Sequence, residues 1–576
     1  MYRLLGCLIL LFICGCNDKP SESTLLTIKI KEYVASQRIG EDNSLINLKK
    51  IFGTNLRGIK LIDFDLSGVD FTDIDLSGSE LIRINFSKST FHNCNLRGAI
   101  LQESDFSEAK LTWVFAQDVD MQASIFSKAN ITYSDFTNGN LENADFSDAV
   151  IENTTMEKTN LNQAVFLNAH LLKVNYKEAS LIESDMTKLQ GKDIRFWGAD
   201  LRKAKFNFAN LSDMYMESSD SSDTDFSDAN LIDCDLNSSI LNNVKFIKTS
   251  INKTNFSSSS VQNCRFENSS ILNSDFSKAR IFSTIVKSSN FSYSSFISAN
   301  VTNSTFIDST FINTVFDNAS LSHLKITNLT SNGVHFIGAN IDDTNIHSSK
   351  FTDNIFRRAK LFSNGINDSI FTDTDMSMAV LYQTDLKNNQ FNHSNLTQLA
   401  IITSVFNSNN FTNCNIVGAQ FTKLNGTGNL FTNSQINSSL ILLSPDIEQF
   451  AGTNTIKSLE VINSASDLTY RNFAFIDFSG LNLNNINLNH SILTKALFKK
   501  TNLQNANFSY SDLSSANFSE AKLTGANLNS AILRNTRFEG AILDNADLTN
   551  TDLDAAFLNN ASMKEIITTI QNPITK

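Results

Sequence analysis

Proline is nearly absent from the chain: three residues in 576, at Pro20, Pro445 and Pro573. Tryptophan occurs twice and tyrosine nine times, and charged residues make up 18 %, against roughly 25 % in ordinary soluble proteins. Each scarcity excludes something. Without proline the backbone keeps its N–H groups, so a proline-rich linker or loop protein is ruled out in favour of long hydrogen-bonded ladders. A net charge of −12 spread over the whole length leaves no basic face for nucleic acid. The seven cysteines contain no Cys-x-x-Cys pair, which removes zinc-ribbon and dithiol redox chemistry. The apolar run Leu4–Ile13 spans only ~15 Å as a helix, too short for a ~30 Å hydrocarbon core.

Phenylalanine, by contrast, occurs 45 times, and its placement is periodic. From Leu56 every fifth residue is apolar: Leu61, Leu66, Phe71, Leu76, Leu81, Phe86 and onward. The phase runs without insertion to Ile441, and only Ala116, Gly191, Ser221, Ser331 and Gly426 lack a sizeable hydrophobe at this central position. Two residues before each centre lies a second set of small residues, such as Ala99, Ala109, Ala129 and Ala144, with Ser, Thr, Val or Cys at most other slots. The residue between is often Asp or Asn. A period of five fits neither a helix nor a flat strand; it fits a chain that turns a corner in every pentad.

This pattern resembles the pentapeptide-repeat family, whose motif is A(D/N)LXX. The resemblance implies an all-β fold, a right-handed quadrilateral β-helix with four pentads per coil and both marked positions pointing inward, with short capping or connecting helical segments. On a β spacing of ~4.8 Å per coil the long block would form a rod of roughly 90 Å. All three prolines lie outside the repeats. The phase is lost between 442 and 472, where 447–462 has the character of short helices, and resumes in a new register at Phe478, running to Met563. The expected organisation is a leader over 1–15, a polar tether over 16–24, an N-terminal cap over 25–55, a long β-helix over 56–441, a connector over 442–472, a second β-helix over 473–563 and a C-terminal capping segment over 564–576. A short helix is expected at 563–573 with Ile566, Ile567 and Ile570 on one side, serving as cap or as a homodimer contact.

At the N-terminus Arg3 precedes the apolar run and compact residues follow it, the layout of a secretory signal. The tetrapeptide Ile13-Cys14-Gly15-Cys16 resembles the lipobox of bacterial lipoproteins, although Ile13 stands where that family usually has Leu, and Cys14 where it has Ala or Ser. The resemblance implies diacylation of Cys16 and anchoring in the cell envelope. With Asn17 beside it, the family's sorting rule implies the outer membrane.

Cys94, Cys234, Cys264 and Cys414 each stand two residues before a centre and read as core thiols. The seven histidines, His92, His170, His323, His335, His347, His393 and His490, all fall at outward positions; twenty-residue coils spread them too widely for a metal site or a triad. No cofactor is expected. Asp193, Asp213 and Asp233 recur every twenty residues and should stack on one face, as splayed charges or around a cation. Phe362, Tyr382 and Ile402 recur likewise at an outward slot, and Trp113 and Tyr133 stack elsewhere; such rungs read as strips for a protein or glycan partner.

The expected function is therefore a non-enzymatic, lipid-anchored rod that binds or spaces partners in the bacterial envelope. One alternative, implied by the family, is a DNA mimic acting on DNA gyrase; export and the absence of a dense acidic face oppose it. Another, by analogy with other β-helices, is glycan binding or processing, for which paired carboxylates in a groove would be needed.

Overall fold

The computed structural model describes residues 21–39 and 46–568, apart from 423, 427, 435–439, 443–467, 472 and 475–477. The leader with Cys16, the helices expected within 447–462, and Ile570 lie outside the described residues. The chain divides into two compact units, residues 1–269 and 270–576. Each is a parallel β-solenoid whose repeats pair with the positions twenty residues on.

In the first unit the ladders Asn55↔Asp75, Glu80↔Ile100, Asp65↔Asn85 and Thr90↔Lys110 mark the four walls of a coil. One wall carries three-residue strands, from Thr90–His92 to Asn230–Ile232, and the others are joined mainly through single bridges. The central residues point inward and are buried, with phenylalanines stacked directly over one another. Phe106, Phe126, Phe146 and Phe166 form a column with ring centroids 4.8–4.9 Å apart. Each buried Leu or Phe contributes on the order of 1.5–3 kcal/mol, and the stacking adds to that.

A helix, α1 (Glu22–Ile39), covers the first coil. Ser21 Oγ accepts the Thr24 N–H at its start, and Thr27, Ile30 and Val34, at helical spacing, are buried against the coil. Thr27 Oγ1 also accepts the Lys60 N–H, and Arg38 donates to the Ser67 carbonyl, so the open ladder edge is occupied. The cap thus begins at Glu22, inside the stretch expected to be tether. A single helical turn, α2 (Lys49–Phe52), follows, with Phe52 edge-on to Tyr33.

The second unit holds the rest of the long block and the whole of the later repeats. In its long block three walls carry three-residue strands, for example Arg280–Phe282, Ile285–Lys287 and Asn290–Ser292. The later repeats begin before position 473. Leu468 and Tyr470 already donate to the Asn487 and Asn489 carbonyls, so the repeat regains its phase while still inside the expected connector. At the far end Ile567 bridges Asp547 instead of opening a helix, because the pentad pattern continues through it. Leu553, Leu558, Met563 and Ile566 of this last coil are only partly buried.

Candidate functional site

The pentads bury nearly all of their inward side chains, and this decides which side chains remain for chemistry. The residue two beyond each centre holds a left-handed φ of about +50 to +60°, as at Asp63, Lys88, Trp113 and Asp193. That residue makes the corner, and Gly58, Gly68 and Gly78 take the same place without strain. The Asp or Asn before the centre accepts the N–H of the residue after it, as Asp65 does from Ser67, Asp145 from Ser147 and Asp185 from Thr187. The motif's polar position is therefore a turn lock, not a reactive group. Where the small inward slot is Ser or Thr, the hydroxyl commonly donates to the central carbonyl of the preceding coil, as Ser89 to Leu66 and Thr249 to Phe226, whereas Ser219, Ser239 and Ser259 donate to the centre three residues back.

The four thiols follow the same rule. Cys94 donates to the Phe71 carbonyl at 2.7 Å, and Cys264 and Cys414 to those of Leu241 and Phe391 at 3.2 Å. Burial pushes Cys94, Cys234 and Cys264 up to about 12 and Cys414 to about 11, so these sulfurs are neither nucleophiles nor ligands near neutral pH. The histidines face outward; His323 and His347 approach Asp343 and Asp368, each at 3.3 Å, on different walls.

The three stacked aspartates occupy corner positions, with φ of 53, 52 and 51°. Asp193 lies 3.8 Å from Arg195 and Asp233 lies 3.9 Å from Lys253, so bases flank the column at each end. Among the described residues no group of three His, Cys, Asp or Glu is placed to hold a metal ion. Of the two readings of Asp193, Asp213 and Asp233, these ion pairs at Asp193 and Asp233 favour separately solvated and paired charges over a shared cation.

The strip of Phe362, Tyr382 and Ile402 is also not the free surface expected. Ile402 is 1 % exposed, and with Val380 and Ala400 it joins the hydrophobic cluster of the later repeats, including Leu468, Phe473 and Phe478. Phe362 and Tyr382 pack against the same cluster. Gln398 Nε2 reaches the Tyr470 carbonyl at 3.4 Å, and the Arg471 guanidinium lies over Gly418. The occupant of this strip is the chain's own second repeat block, through Leu468, Phe473 and Phe478.

Sequence reasoning did not find two outward groupings. Tyr470, His490 and Tyr510 stack on a corner at 4.7 and 4.9 Å. On a wall of the first unit the Glu217 carboxyl lies within hydrogen-bonding reach of Asp235 and is held above its usual range, by desolvation first and by Asp235 second. Both follow from a spacing of twenty, or of eighteen across adjacent columns, and would have appeared had every outward residue been placed on the coil.

Models of the pentapeptide repeats match residues 54–93, 65–102, 222–257, 472–509, 501–540 and 531–566, and a model of the pentapeptide repeat region matches 89–166 and 129–206. No curated protein sequence matches the chain. Among solved structures, the pentapeptide repeat protein Rfr23 from the cyanobacterium Cyanothece is 34 % identical, over 16 % of this chain and 60 % of its own, with a TM-score of 0.14. A pentapeptide repeat protein from the Arabidopsis thaliana thylakoid lumen is 33 % identical over 15 % of this chain and 68 % of its own, with a TM-score of 0.10. QnrB1, a plasmid-mediated fluoroquinolone resistance protein, is 16 % identical over 34 % of this chain and 89 % of its own, with a TM-score of 0.22. With the inward A(D/N)L positions, the twenty-residue coil and the repeat-family models in agreement, the chain belongs to the pentapeptide repeat family.

Proposed function

We propose that this protein is a non-enzymatic interaction scaffold, anchored through lipid on Cys16 in the bacterial cell envelope and facing the periplasm or the cell surface. The observation that carries the reading is the division of each pentad. The inward slots are filled and hydrogen-bonded, the thiols are held by backbone carbonyls, and the remaining side chains stand in ladders on the walls, where they contact partners. The Ile13-Cys14-Gly15-Cys16 stretch supplies the attachment, and the segment between Cys16 and α1 is short enough to hold the capped end close to a membrane.

Labelled palmitate should enter the full chain and remain with the membrane fraction, and Cys16→Ala should abolish both. A soluble, unlabelled native chain would overturn the anchor, and inhibition of gyrase supercoiling by it would replace this reading with a DNA mimic. The last coil, with Phe557 and Ile567 exposed, is the surface proposed for self-association. Ile567→Lys should lower the sedimentation coefficient if the chain is a homodimer through that end.

A further inference from the structure

The exposed aromatic side chains of the first unit are not scattered. Among its described residues six are exposed: Trp113, Phe115, Tyr133, Trp197, Phe208 and Tyr215. Phe115 and Tyr215 stand in one ladder, the one that begins Asn55↔Asp75. Trp197 is on the same wall two positions further round the coil, and Trp113 and Tyr133 form the corner that borders it, with φ of 57 and 51°. Only Phe208 is elsewhere. The exposed aliphatics Ile62, Ile100, Ile125, Leu167 and Ile240 are all on two other walls. Five of the six exposed rings thus share one wall and its bordering corner, and the exposed aliphatics of the coils are kept off it.

The rings are held before any partner arrives. Trp113 and Tyr133 stack with centroids 4.8 Å apart and planes 12° apart. Arg97 lies over Phe115 at 5.4 Å, and the Lys177 ammonium is 4.4 Å from the centre of Trp197. Between and beside them the wall presents hydrogen-bonding groups: Asn175 donates to Glu157, and Gln117 to Asp135. Charge along this stretch is balanced and carries no cationic excess, with Asp135, Glu157 and Glu217 against Arg97, Lys177 and Arg195. That balance disfavours phosphate, anionic lipid and acidic polysaccharide. Flat rings interleaved with amides and carboxylates suit a ligand that has apolar C–H faces and many hydroxyls. From Phe115 to Tyr215 the ladder rises five coils, ~24 Å, long enough for several sugar units in a row.

We propose that this wall binds a linear, uncharged polysaccharide strand laid along the solenoid axis, its sugar rings against Trp113, Tyr133, Trp197 and Tyr215. The proposal rests on the scaffold reading and gives it a partner class. One of the chain's two tryptophans, Trp197, lies on this wall and the other, Trp113, on its bordering corner, so tryptophan emission reports on this face.

The test titrates the full chain with cellotetraose and with the N-acetylglucosamine tetramer while recording tryptophan emission. A saturable change is expected with at least one of them, and Tyr215→Ala or Trp197→Ala should weaken it roughly tenfold or more. Phe208→Ala, an exposed ring off the wall, should leave it unchanged, and unaltered circular dichroism shows that each variant folds. No response to either tetrasaccharide, undiminished binding by Tyr215→Ala, or a response to polygalacturonate or phosphatidylglycerol vesicles instead would each overturn the proposal. Undiminished capture of an envelope partner by Tyr215→Ala would locate scaffold binding elsewhere, separating failure of this wall from failure of the scaffold reading.

Discussion

At the scale of single residues, two slots act together. Four of the five centres that lack a large hydrophobe have large residues in the adjoining small slots: Val114 and Val119 beside Ala116, Leu189 and Ile194 beside Gly191, Leu329 and Val334 beside Ser331, and Leu424 before Gly426. Volume is exchanged between positions, so the core stays filled. A Cβ on Gly191 would lie 2.5 Å from Ile194 Cδ1 and 2.8 Å from Leu211 Cδ2. Gly191→Leu, which restores the motif, should therefore destabilise the chain by about 1–3 kcal/mol in urea unfolding, and adding Leu189→Ala should recover part of the loss. The exchange is incomplete around Ser331, where a cavity of about 30 Å³ remains among Phe306, Phe316, Leu324 and Phe336. The thiols give a second expectation. Their folded pKa values lie above the ordinary value near 9, so their contribution to stability is complete below pH 9 and is lost as pH rises through 11 to 12. Iodoacetamide at pH 8 should leave Cys94, Cys234, Cys264 and Cys414 unmodified in the native chain and label all four in guanidinium, as peptide mass spectrometry would show.

At the scale of elements, the small slot decides how a corner is built. In the long block of the second unit, the described corners closed by a backbone N–H to the central carbonyl three residues back are those entered by Ala279, Ala299, Ala319, Ala339, Ala359, Ala379, Leu399 and Ala419. The other three corners have mainly Ser, Thr or Asn at that slot, and there the side chain donates to the central carbonyl of the preceding coil, as Thr384 does to Leu361 and Asn364 to Ile341. The alanine-rich later repeats close tightly throughout, as at Ala496, Ala506, Ala516 and Ala526. The most specialised element is a column of buried amides. Asn389 donates through both N–H and Nδ2 to Asn409 Oδ1, at 3.1 and 3.0 Å, and Asn409 does the same to Asn429, at 3.0 Å each. Asn409→Leu would leave buried donors on Asn389 without an acceptor, for which a loss of about 2–4 kcal/mol is expected by chemical denaturation. Asn409→Ser, which can still bond the Leu386 carbonyl, should cost less.

At the scale of the whole molecule, the second unit folds one repeat block against another. A solenoid end needs a cover, and the first coil of the later repeats finds it on the wall at Val380, Ala400 and Ile402. Ile402→Glu would put a charge into that contact. The expected outcome in calorimetry is that the later repeats melt as a separate, earlier transition while the long block keeps its own. A single unchanged transition would mean that the contact carries little energy.

The chain alone determined the pentad, its phase and the inward role of both marked positions, because a repeat this strict leaves only one way to bury its hydrophobes. It likewise marked the thiols as core residues and Trp113 and Tyr133 as neighbours, since contacts one coil apart are local once the period is known. It did not reveal that Phe362, Tyr382 and Ile402 are covered, that Glu217 meets Asp235, or that the helical cap starts at Glu22. Periodicity reports which residues face outward but not what lies opposite them. Those outcomes depend on contacts between segments with no shared phase, or on side chains reaching across columns, and such contacts exist only once the coils are stacked in three dimensions.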